Sequence, residues 1–145
     1  MIERKTIEAL SRAIRKEFGK DYKIYIDTVK QGFQEPCFLI AEVTENQDQF
    51  LNNKYKRAVR YCIHCFGSEE DMRTKYREVV ERLYFCLDRI DIRGEGTIKG
   101  RRMQKEISDD DVLLFFVSYD QWVVYKGEEK ESMEKLNVFG SAERK

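Results

Sequence analysis

Apolar residues near the start of the chain recur at helical spacing. Ile7, Leu10, Ile14 and Phe18 fall on one face, with Arg12, Arg15, Lys16 and Glu17 on the others, which predicts a helix over about Lys5–Phe18. Gly19 is its stop, and Gly19-Lys20-Asp21 a turn. The period then changes to two: Tyr22, Ile24 and Ile26 alternate onto one face of a predicted strand. Lys30 to Pro36 is a connector, and Pro36 tolerates only the beginning of a strand. From Cys37 to about Thr44 both faces are apolar, Phe38 and Ile40 on one and Leu39, Ala41 and Val43 on the other. Such a strand is central in a sheet or covered by another chain.

Thr44 to Lys54 is polar and reads as a loop joining two antiparallel strands, with Gln47, Phe50 and Leu51 in it. A long strand follows from Tyr55 to Phe66, with Tyr55, Val59, Tyr61, Ile63 and Cys65 as its core face. Ser68 caps the next helix, whose first turn carries Glu69, Glu70 and Asp71. Met72, Tyr76, Val79, Val80, Leu83, Leu87 and Ile90 make its stripe, and Glu69–Arg73, Asp71–Lys75 and Glu78–Arg82 are acid-before-base pairs. Gly94, Gly96 and Gly100 break the chain. Thr97–Ile107 is then a basic strand bearing Lys99, Arg101, Arg102 and Lys105. Ser108-Asp109-Asp110-Asp111 is a turn, and Val112–Tyr125 the last long strand. The order predicts an α+β fold, an antiparallel or mixed sheet with two main helices packed on one face. Residues 1–126 form the domain and 127–145 a charged tail, in which Met133, Leu136, Val138 and Phe139 are the large apolar residues.

Composition narrows the function. The 145 residues suit one domain, and 41% hydrophobic residues suffice for a core. Charged residues reach 37%, yet 27 basic and 27 acidic residues cancel. A dedicated nucleic-acid binder needs a net basic face. Zero net charge also leaves little repulsion between copies. The longest apolar run, Val112 to Val117, is far short of the ~20 residues of a membrane span. The N-terminus lacks the order of a secretory signal, so synthesis in the cytoplasm is expected.

Chemistry-bearing motifs are sparse. Cys37, Cys62, Cys65 and Cys86 do not make a disulfide framework. Cys62, His64 and Cys65 cluster, but a strand sends 62 and 64 to one face and 65 to the other, and no second pair completes a tetrahedral metal site. A single His leaves little material for a Ser–His–Asp arrangement. Gly94 to Gly100 has no following helix and no phosphate-loop lysine pattern. Asp109, Asp110 and Asp111 lack the alternating ligands of a calcium loop and read as a solvated turn. No catalytic residue, cofactor or metal is assigned.

Four segments in order carry a resemblance. They are Asp21–Tyr25 with Val29–Phe38; Tyr55-Lys56-Arg57 leading to Ile63-His64-Cys65-Phe66; Val79–Tyr84; and Leu113–Tyr119 followed by Met133–Val138. Together, over roughly residues 7–138, the chain resembles tail terminator proteins of phages and phage-derived tail-like particles. Cys62 and Cys65 on the long strand are a departure with no assigned role.

That resemblance implies a structural protein and no enzyme. It implies a ring of copies, a hexamer, on the head-proximal end of the tail tube, ending tube growth and meeting a sheath, head connector or collar. It implies a place in a virion or tail-like particle assembled in the host cytoplasm, with no membrane and no sequence-specific nucleic-acid partner. A head–tail connector is the neighbouring reading. A small ligand-binding domain and a thiol enzyme are readings from other classes. A ring of one subunit type needs two unlike patches per subunit. The expected contacts are Gln47, Phe50 and Leu51 on a projecting loop; a basic patch of Thr97–Ile107 (with Arg101 and Arg102) and Lys54–Arg60 against an acidic one of Asp109, Asp110 and Asp111 and Glu128–Glu134; and Met133, Leu136 and Val138 docking the tail on a neighbour.

Overall fold

The computed structural model describes residues 2–27, 34–67, 69–126 and 136–139. Helix α1 spans Ile2–Phe18 and buries Leu10, Ile14 and Phe18, the face its spacing predicts. Gly19 ends it at φ +80°, a left-handed turn open to glycine without a side-chain penalty. Strand β1 is Lys23–Ile26, β2 Cys37–Leu51 and β3 Lys54–Phe66. Helix α2 is Glu69–Cys86. Strands β4 (Arg89–Ile92), β5 (Gly96–Lys99), β6 (Arg101–Ile107), β7 (Leu113–Tyr125) and β8 (Leu136–Phe139) complete it.

The main sheet has the order β1-β2-β3-β7-β6, with β8 also on β7, and β4 and β5 form a separate pair. Only β1–β2 is parallel, so the sheet is mixed. Both helices lie on the face formed by Phe38, Ile40, Val59, Tyr61, Ile63, Leu113, Phe115 and Val117, and these close one core with Leu10, Ile14, Val79 and Leu83. The α+β class and the buried faces of α1 and β3 match expectation. The two helices are tied at their edge by Arg82. It sits 4.4 Å from the Phe18 ring, pairs with Glu17 Oε2 at 3.0 Å and donates to the Glu17 carbonyl at 2.6 Å. The Glu78–Arg82 pair is present at 3.9 Å.

Four expectations are corrected. Glu45–Lys54 is no loop: β2 runs to Leu51, and only Asn52 and Asn53 turn the chain, Asn52 at φ +49°. Its pairing with β3 satisfies backbone groups, which needs no apolar side chains, so polar composition hid the strand. Thr97–Ile107 is two strands in different sheets, parted at Gly100. The apolar stripe of α2 outlasts the helix, which ends at Cys86, and Ile90 is buried from β4. Ile26 is exposed at the end of β1, a short edge strand.

Other expectations meet gaps. The Val29–Phe33 run, Ser68 and Met133 lie outside the described residues, as do the side chains of Glu69–Arg73 and of Leu136 and Val138. The backbone of Leu136–Phe139 pairs with Trp122–Tyr125 of the same chain.

Candidate functional site

The sheet face away from the helices carries Leu39 and Ala41 of β2, Ala58 and Cys62 of β3, and Leu114, Phe116 and Trp122 of β7. Most of these are half-buried, covered by one another. Polar groups cross this face as a lattice. The Arg60 guanidinium donates to the Arg102 carbonyl at 3.0 Å, to Ser118 Oγ at 2.8 Å and to Gln104 Oε1 at 3.2 Å, and lies 5.2 Å from the Phe116 ring. Asp120 stands between Lys56 at 3.8 Å and Arg101 at 3.3 Å. Arg101 and Arg102 are therefore tied to β7 and β3 on their own sheet. Asp109–Asp111 lie in the turn between β6 and β7.

In that turn Ser108 Oγ accepts from the Asp110 and Val112 amides at 3.2 and 3.1 Å, and Tyr76 Oη donates to the Asp111 carbonyl at 2.6 Å. The turn is an anchored, exposed end of the sheet. The Asn52-Asn53 turn is the other end, so the expected contact residues divide between two poles of the molecule.

The outer half of β2 is the most unusual surface. Every residue from Glu42 to Leu51 is exposed, though the strand is paired to β3 along its inner side. Gln47 Oε1 accepts two bonds from Arg57 at 2.9 and 2.7 Å, and its amide donates to Tyr125 Oη at 3.3 Å. Phe50 and Leu51 are each 60% exposed. Phe50 stands edge-on to Trp122 at 4.9 Å, and Lys54 lies 5.0 Å from the Trp122 ring. Gln47, Phe50 and Leu51 are thus gathered at one pole, beside Trp122 and Lys54. Trp122 was not legible as a site residue, because only the β3–β7 register brings it there.

A second surface also escaped the sequence. Between α1 and the end of α2 lies a groove of about 860 Å³ lined by Arg12, Arg15, Lys16 and Arg89, with Phe85 on its rim at 76% exposure. Phe85 falls off the apolar stripe of α2, which was its only signal.

The thiols are chemically quiet. Cys62 Sγ is 3.9 Å from His64 Nε2, on the face opposite Cys65. Burial pushes the Cys62 and Cys37 thiols up to about 11 and Cys86 up to about 12, raises Cys65 also, and lowers His64. A thiol held protonated beside a neutral imidazole is a poor nucleophile at neutral pH. Among the described residues no three His, Cys, Asp or Glu side chains gather as a metal site. No described helix is long and apolar enough to cross a membrane. Among the described residues the molecule presents two poles and two sheet edges that no further strand pairs.

Two comparisons bear on that surface. A family model described as phage tail terminator protein matches residues 5–132. No curated protein matches the chain.

Proposed function

The chain belongs to the phage tail terminator family, a structural component of a phage tail or tail-like particle, and from that premise we propose that it caps the tail tube as a ring. The ring is a hexamer on the head-proximal end of the tube. It ends tube growth and offers its other side to a head connector or collar. The observation that carries this reading is the exposed outer half of β2, ending in Phe50 and Leu51. Large apolar side chains held at the tip of a paired hairpin are a ready contact for a second protein. We assign that pole to the tube and the Ser108–Asp111 pole to the head side. Zero net charge fits a protein whose copies must come close.

The test is mass by light scattering, for the chain alone and with its tube protein. A hexamer, or a ring that forms on tube ends and halts their growth, is expected. A monomer that ignores tube ends would overturn the proposal.

A further inference from the structure

β1 covers the outer side of β2 only over Cys37–Ile40, and Asp27 adds one bond to the Ile40 carbonyl at 2.8 Å. From Ala41 to Leu51 no described strand pairs with that edge. At the other side of the sheet, β6 is equally uncovered beyond β7. Uncovered edges carry rows of unpaired N–H and C=O groups, and solitary proteins blunt them. Here the two edges are charged with opposite sign. The β2 edge bears Glu42, Glu45 and Asp48 and no basic residue, whereas β6 bears Arg101, Arg102 and Lys105 against Glu106. An acidic edge repels its own kind and attracts a basic one.

We infer that the ring closes by strand addition, with β6 of one copy pairing antiparallel to residues 43–49 of β2 in the next, which leaves Phe50 and Leu51 to the tube. This deepens the proposed ring and rests on it.

The topology permits it without distortion. β2–β3, β3–β7 and β7–β6 are all antiparallel, so β2 and β6 of one copy run in opposite directions. Rotation about an axis near the strand direction keeps that relation between neighbours. The levels also agree. Within one copy Gln104 shares a row with Phe116, Cys62 and Ala41. Centring the neighbour's β6 on the free edge near Asn46 requires a climb of about four rows, or about 13 Å, since Ala41 and Asn46 face Cys62 and Ala58 across a bulge in β2. Strands in closed sheets tilt by about 35–45°, and four spacings of about 4.8 Å at such a tilt give a stagger of about 13–19 Å. The climb that avoids β1 is the climb that closure imposes.

The face alternation then fixes a register. Gln104 and Asn46 both lie on the side away from the helices, opposite Phe116 and Ala58. Setting them across from each other places Lys105 opposite Glu45. It also places Ile107 opposite Val43, which are 41% and 46% exposed in the single chain. One charge pair and one apolar pair follow from one register. Pairing β6 with β1 instead would set its basic residues against Lys23.

Cysteine pairs test the register in the full chain assembled with its tube protein. Val43→Cys with Ile107→Cys, mildly oxidised, is expected to give a ladder of covalent multimers on a non-reducing gel. Its top rung reports the ring's copy number. Val43→Cys with Gln104→Cys is out of register and is expected to give about a tenth of that yield or less, since disulfide geometry is narrow. Wild-type thiols are the background control. Glu45→Lys and Lys105→Glu should each weaken assembly several-fold, and the two together should restore it. If the wild type assembles but both cysteine pairs cross-link equally, or neither does, the strand pairing is overturned and the ring stands. A wild type that stays monomeric alone and on tube ends overturns the ring, and the pairing with it.

Discussion

At the scale of single residues the buried thiols make a sharp prediction. Burial holds Cys37 and Cys62 at about 11 against an ordinary 9.0, so at neutral pH the thiolate fraction in the folded chain is about a hundredfold lower than in the unfolded chain. Alkylation at pH 7.5 should be slow in the native protein and fast in denaturant, as mass spectrometry of timed samples would read. Equal rates would contradict it. The same shift has a stability consequence. A pKa raised on folding means that the folded chain holds its proton more tightly. That contribution is whole below pH 9 and is lost as pH rises from about 9 toward 11, where the unfolded thiols ionise first. Urea midpoints should therefore fall over that window, and fall less when Cys37 and Cys62 are both changed to Ala, since Cys65 and Cys86 still shift the same way. Two buried polar side chains find partners far away in the sequence. Tyr119 Oη donates at 2.7 Å to the Leu87 carbonyl just past the end of α2, and Gln121 donates to Thr6 at 2.7 Å. Removing Thr6's hydroxyl would leave a buried amide unmatched, which is why a polar pair persists at this depth.

Elements show what a one-dimensional pattern encodes. Val59, Tyr61, Ile63 and Cys65 alternate, so the buried face of β3 was legible, as was α1 from Leu10, Ile14 and Phe18. The outer half of β2 was not, because Glu42 to Leu51 pairs through its backbone and buries no side chain. Gly100 was read as a breaker, but its geometric reason is tertiary. A Cβ there would stand 2.7 Å from the Leu87 carbonyl and 3.1 Å from Val117 Cγ2. Gly100→Ala should therefore cost about 1–3 kcal/mol, read as a lowered urea midpoint at unchanged slope. A midpoint within error of wild type would show that the β5–β6 junction has room to yield. Of the candidate site, Phe50 and Leu51 were legible as unburied apolar residues in a polar stretch. The Arg60–Ser118–Gln104 lattice was not, since it exists only once three strands are in register.

At the scale of the whole molecule, the core and the exposed contacts are separate. The helices and one sheet face close the core, while Phe50 and Leu51 lie outside it. Phe50→Ser with Leu51→Ser should leave the melting temperature within about 2 °C of wild type, as is usual for surface changes. It should reduce capture on tube ends, measured by co-sedimentation. A large drop in melting temperature would mean that the pole supports the fold. Gly100 has a consequence for mechanics. β5 ends at Lys99 and β6 begins at Arg101, so no slack chain lies between the basic edge and the small sheet. The Gly100 amide is further clamped to the Asp88 carbonyl at 2.7 Å, and α1 is fastened to the same small sheet through Arg12 and the Asp91 carbonyl at 2.9 Å. Load applied to β6 therefore passes through one residue into β5, β4 and α1, with no compliant loop to absorb it. A pull on the rim of this molecule is felt at its first helix.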